Sequence, residues 1–95
     1  MALDPEFKAA WVKALRENKH RQCYGALWDG QGNACALGVA YELLGIRSYE
    51  ELNQHGPHPT IANIPMREQE RIASCMNDGQ RQPLDIIAAY IEQNL

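Results

Sequence analysis

The stretch Asp29-Gly-Gln-Gly-Asn-Ala-Cys-Ala-Leu-Gly38 decides how this chain is read. Its flanks, Tyr24 to Trp28 and Ala34 to Ala36, have the composition of short strands. Between them, Asp29-Gly30 and Gly32-Asn33 supply the positive-φ positions that a tight hairpin loop needs. Leu37 then opens a helical pattern, which places Cys35 at or just before a helix N-terminus. A cysteine there can be activated as a thiolate or help to bind an anion. The same position also commonly buries a small inert residue. The spacing therefore predicts a β-hairpin running straight into a helix, with Cys35 at the junction.

On the N-terminal side, Asp4-Pro5-Glu6 reads as an N-cap, a proline at the first helical position and an acid in the first turn. Phe7, Trp11 and Leu15 recur at four-residue spacing, and the pattern stops near Asn18. Asp4-Pro5-Glu6-Phe7 equally matches what adjacent restriction sites of expression vectors encode, so residues 1–7 are a candidate vector-derived segment. On the C-terminal side, Leu37, Ala40, Tyr41 and Leu44 form a short helical face that Gly45 ends. Ser48-Tyr-Glu-Glu51 matches a capping box and predicts a helical turn over 49–54. His55-Gly-Pro-His-Pro59 breaks any regular structure, and the loop to about Asn63 is the expected mobile segment. Pro65 opens a helix that passes Ile72 and Met76 and stops at Asn77-Asp78-Gly79. Pro83 opens the last helix, whose face is Leu84, Ile87, Ala88, Ile91 and Leu95. The expected fold is α+β but mostly α. It is a single domain over residues 1–95 with about four to five helices and one β-hairpin after the first.

Ninety-five residues suffice for one modest core but not for two layers around a deep cofactor cleft. No apolar run is long enough to span a membrane, and the N-terminus lacks the layout of a signal peptide. The three cysteines, Cys23, Cys35 and Cys75, are odd in number and form no CxxC pair, so they read as reduced thiols in a cytoplasmic protein. Net charge is -3 but uneven: five basic residues stand against three acidic ones up to Arg21, then four against nine. The basic face Lys13, Arg16, Lys19 and Arg21 is either the solvated side of an amphipathic helix or a contact for an acidic partner or nucleic acid. Overall acidity argues against a duplex, whose affinity comes from neutralised phosphates.

Four chemistries could draw on these residues. A thiol hydrolase or transferase centred on Cys35 would take His55 or His58 as base and Asn63 or Asp78 as orienter. Its histidines lie in a proline-broken loop, where a base is poorly held. A metal site from His55, His58 and Cys35 or Cys75 offers two firm ligands where a tetrahedral site takes four, so no metal or other cofactor is expected. Gly30, Gly32 and Gly38 are not followed by the GK[ST] of a phosphate loop. A helix-turn-helix fails because Leu84 to Leu95 carries Asp85 and Glu92 and no lysine or arginine. The polar residues left are Gln22, Asp29, Asn33, Asn77 and Asp78, and they are the candidate binding set. Asp29 and Asn33 fit a turn. Gln22 and Asn77, if buried, would tie the hairpin to the helices by hydrogen bonds.

Several pieces together resemble a family of small phage and bacterial proteins of uncharacterised function. They are Trp11-Val-Lys-Ala-Leu15, Gln22, Gly25-Ala-Leu27, Cys35-Ala-Leu-Gly-Val39, Met76-Asn-Asp78, and Leu84 followed by Ile87-Ala88 and Ile91. Where that family often has a second cysteine and a phenylalanine, this chain has Ala36 and Leu84. The resemblance implies a phage or mobile-element context and no particular activity. The expected function is that of a small binding protein whose partner is another protein, with a homodimer as one form of that partnership. The alternatives are the Cys35 enzyme and a nucleic-acid accessory using the basic face.

Overall fold

The computed structural model describes residues 4–54, 64 and 66–95. Helix α1 (Pro5–Glu17) starts where the Asp4 carboxylate accepts the Phe7 N–H at 3.0 Å and ends where the Asn18 side-chain amide donates to the Ala14 carbonyl at 2.7 Å. It buries Trp11, Val12 and Leu15. A single 3₁₀ turn (Lys19–Arg21) leads into the loop that carries the diagnostic stretch.

Helix α2 (Ala36–Leu43) buries six consecutive residues, Ala36 to Tyr41, as a helix packed on every side must. It ends in a Schellman motif: Ile46 N–H donates to the Tyr41 carbonyl, Gly45 N–H donates to that of Glu42, and Gly45 takes φ +84°. Ile46, just past the glycine, is buried under the helix end. Helix α3 (Tyr49–Gln54) is capped by Ser48, whose Oγ accepts the Glu51 N–H at 3.1 Å. The Glu51 carboxylate reaches back to the Arg47 N–H, one residue before the cap position expected of a capping box.

Helix α4 (Met66–Glu70) continues without a break as a π-helix (Arg71–Gly79). Its i→i+5 winding matters for the core. In an α-helix, Asn77 would stand about 140° around the axis from Ile72. The wider winding instead brings Ile72, Met76 and Asn77 onto one buried face. Helix α5 (Leu84–Asn94) follows Pro83 and buries Leu84, Ile87, Ala88 and Ile91. It lies along α1, while α2 and the π-helix close the remaining sides of the core. Each large side chain sealed there contributes about 1.5–3 kcal/mol of hydrophobic free energy.

The expected hairpin is not formed: among the described residues there is no strand. Gly25, at φ +78°, turns the chain straight after Tyr24, so 24–28 cannot run extended beside 34–36. Ala34 alone pairs, and it pairs on two sides. It makes a parallel bridge with Gln22 and an antiparallel one with Trp28. Its N–H donates to the Arg21 carbonyl at 2.8 Å, and its carbonyl accepts from Cys23 at 3.2 Å. Cys35 then donates its N–H to the Leu27 carbonyl at 3.0 Å and caps α2, which ends any strand after one residue. The fold is helical, with an irregular loop wedged between helices where a sheet was expected. Asn77 also lies within the π-helix, not beyond a helix end. The expected mobile loop and the start at Pro65 fall outside the described residues.

Candidate functional site

Three of the five polar residues singled out by sequence, Gln22, Asn77 and Asp78, meet at one buried point, the Asn77 side chain. Its Oδ1 accepts from Gln22 Nε2 at 2.9 Å and from the Ala36 N–H at 3.2 Å. Its Nδ2 donates to the Cys23 carbonyl at 2.9 Å and to Asp78 Oδ1 at 2.8 Å. All four hydrogen-bonding positions of the amide are filled, and the residue is fully buried. Gln22 Nε2 also donates to the Gln82 carbonyl at 2.7 Å, and Asp78 Oδ1 accepts the Gly25 N–H at 3.0 Å. Asn77 thus joins the π-helix, the 22–25 loop and the start of α2, and Gln22 extends the network to the lead into α5. Gln82 was not singled out by sequence, and a backbone-mediated role leaves no residue-type signal.

Cys35 sits against this hub as the N-cap of α2, its Sγ accepting the Gly38 N–H at 3.4 Å. Burial pushes its thiol up from the ordinary value of 9.0 to about 11, only partly offset by the Gly38 and Leu37 N–H groups. The desolvation of the charged form outweighs the helix end, so the thiol stays protonated at neutral pH. Cys23 is shifted the same way, first by burial and then by the negative charges of Asp29 and Asp78. Cys75 is exposed. His55, His58 and Asn63, the proposed partners of Cys35, lie outside the described residues. Among the described residues no cluster of three histidine, cysteine or carboxylate side chains could hold a metal ion.

Asp29 and Asn33 are not part of the hub. Asp29 accepts from Asn33 Nδ2 at 2.7 Å and from the Gln31 and Asn33 N–H groups. Those bonds, the Asn33 amide foremost, hold its carboxyl below the usual range. They close the Gly30–Gly32 turn, with Asp29 exposed and Asn33 half-buried.

The basic face is divided by its neighbours. Arg21 is a brace within the fold: Nε donates to the Gly32 carbonyl at 2.6 Å, one terminal nitrogen to Asn18 Oδ1 at 2.7 Å and the other to Glu42 at 3.4 Å. Glu42 also accepts from Trp28 Nε1, and Tyr49 meets the Trp28 ring edge-on at 5.3 Å. Arg16 forms an exposed ion pair with Glu92 of α5 at 3.1 Å. Lys13 and Lys19 are exposed.

Beside Arg16 lies a groove of about 450 Å³ along the outer side of α1. Pro5, Ala9 and Val12 form its apolar floor. Lys8, Lys13 and Arg16, with Glu17 and Glu92, form its charged rim. Sequence reading passed over this groove, although a signal was present: Pro5, Ala9, Val12 and Arg16 follow the 4-3-4 spacing of a helix seam. No family model, no curated protein and no solved structure matches this chain.

Proposed function

We propose that this chain works by binding another protein, which docks on the outer face of α1 beside α5. The observation that carries this reading is a division of labour among side chains. The groups that chemistry would use (Cys35, Gln22, Asn77 and Asp78) are bonded to one another or to the backbone inside the fold. The groove on α1 instead presents an apolar floor within a charged rim, the pattern of a protein contact. A partner encoded by a phage or its bacterial host is the one in keeping with the resemblance read from the sequence.

The Cys35 enzyme is disfavoured by the buried, protonated thiol. A nucleic-acid accessory is disfavoured by the engagement of Arg21 and Arg16, which leaves two exposed lysines for a phosphate backbone in a chain of charge -3. Filling the groove tests the reading. Ala9→Trp, at an exposed helix position, is expected to leave thermal unfolding within about 0.5 kcal/mol of the parent. It should also abolish retention of whatever protein the parent captures from bacterial extract. Equal capture by both forms would remove the groove from the account.

A further inference from the structure

We infer that Cys23 and Cys35 are a redox pair: two buried thiols that a peroxide closes reversibly into an intramolecular disulfide. The pair is separate from the docking face on α1.

The backbone sets the two cysteines side by side. Gln22 and Ala34 form a parallel bridge, in which the Ala34 N–H donates to the Arg21 carbonyl and the Ala34 carbonyl accepts the Cys23 N–H. Cys23 and Cys35 are the next residue on each side of that bridge. Gln22 and Cys35 both have extended backbone, so the register carries forward by one residue. In a parallel pair, residues at matching steps project to the same face. Neighbouring strands lie about 4.8 Å apart. A disulfide spans Cα atoms roughly 4.4–6.8 Å apart. The Asn77 amide then replaces the next rung, accepting the Ala36 N–H at 3.2 Å and donating to the Cys23 carbonyl at 2.9 Å. An amide inserted there spreads the two chains toward the wider end of that window and holds them there.

The side chains agree with the backbone. Cys23 Sγ lies 3.4 Å from the Ala26 carbonyl oxygen and 3.8 Å from that of Leu27. The same Leu27 oxygen accepts the Cys35 N–H at 3.0 Å, so one atom touches both cysteines. Behind burial, the main cause, the nearby Cys23 adds to the upward shift of the Cys35 thiol. Closing the bond would tie the 22–25 loop to the start of α2, the two segments that Asn77 already joins.

Cys23 is the entry point. It precedes the exposed Tyr24 and Gly25, whereas Cys35 is followed by the buried run of α2. Its sulfur attacks the peroxide and breaks the O–O bond. One oxygen stays as the sulfenic hydroxyl, and the other leaves as water with the thiol proton. The Cys35 sulfur then displaces that hydroxyl to form the S–S bond, and its own proton departs with the hydroxyl as a second water. Two thiols lose two electrons, and one peroxide becomes two waters. A thiol reductant reverses the bond by exchange.

The test uses the whole folded chain carrying Cys75→Ser, which removes the exposed thiol and leaves the pair untouched. The protein is treated with hydrogen peroxide, alkylated in denaturant and cut with trypsin. Both cysteines fall in one peptide, residues 22–47, between Arg21 and the cut after Arg47. That peptide is expected to lose two hydrogens, to take no alkyl group and to regain both thiols after dithiothreitol. Adding Cys35→Ser, which keeps a hydroxyl to cap α2, should leave Cys23 as a sulfenic acid that dimedone captures. Two free thiols after an exposure that fully oxidises Cys75 of the parent would overturn the inference. Oxygen added at Cys23 while Cys35 stays free would do the same. So would a disulfide that forms only when peroxide is added in denaturant, because the fold would then be keeping the thiols apart.

Discussion

Replacing Asn77 by alanine is expected to cost about 3 kcal/mol or more of folding stability, because it orphans several buried groups at once. The Ala36 N–H and the Cys23 carbonyl lose their side-chain partner, and Gln22 and Asp78 each lose a contact. A domain of this size has roughly 5–15 kcal/mol in total. The change should therefore lower the melting temperature by roughly 12–24 °C or leave the chain partly unfolded. Asn77→Asp sharpens the test, since a carboxylate there still accepts from Gln22 and Ala36. It cannot donate to the Cys23 carbonyl, and it faces Asp78. Burial and that like charge raise the pKa of the introduced carboxyl in the folded state. This variant should accordingly be most stable at acid pH and lose stability as pH rises through that value. A melting temperature unchanged in both variants would mean that the hub does not hold the fold.

Gly38→Ala is expected to destabilise by about 2–4 kcal/mol, opposite in sign to what helix propensity alone would give. Gly38 lies in the first turn of α2 with ordinary helical φ, where alanine normally gains about 1 kcal/mol. A Cβ at this position would overlap the carbonyl oxygen of Leu27 and crowd the Ala34 methyl. That oxygen cannot withdraw freely. It accepts the Cys35 N–H at 3.0 Å, and the N–H of the same residue donates to Tyr49 Oη at 2.7 Å. Gly32→Ala provides the contrast. Gly32 sits at φ +90° in open space, so its cost is backbone strain alone, about 1–2 kcal/mol. Chemical denaturation of the two variants compares the effects directly, and the larger loss should fall on the glycine with the unremarkable backbone.

What was legible in the sequence were the features encoded within a few neighbouring residues. Asp4-Pro5, Gly45, Ser48 with Glu51, and Pro83 act through local capping geometry, so they mark where α1 begins, where α2 ends, and the spans of α3 and α5. The repeat Leu84, Ile87, Ala88 and Ile91 names the buried side of α5 directly. The hairpin misled because turn residues and strand-like flanks are also what a compact loop uses. Gly25 at positive φ turns the chain before a second pair can form, and its N–H is held by the Asp78 carboxylate from across the molecule. Asn77 misled for a related reason. Read with α-helical spacing it falls off the buried side after Ile72 and looks like a helix stop. The π winding that returns it to the core is fixed by tertiary bonds, such as its own to Cys23 and Ala36. The candidate binding residues Gln22, Asn77 and Asp78 come together, Asp29 and Asn33 stand apart, and Arg21 of the basic face serves the loop.

In the proposed reading, the residues with chemical potential hold the fold together and the partner docks elsewhere, on the face of α1. Alkylation of each cysteine by iodoacetamide in the native protein, followed by peptide mass analysis at neutral pH, tests it most directly. With its thiol buried and shifted to about 11, Cys35 should remain unlabelled until the chain unfolds, while exposed Cys75 reacts at once. Labelling of Cys35 in the folded protein as fast as a free thiol would contradict the account and return the cysteine to the centre of the function.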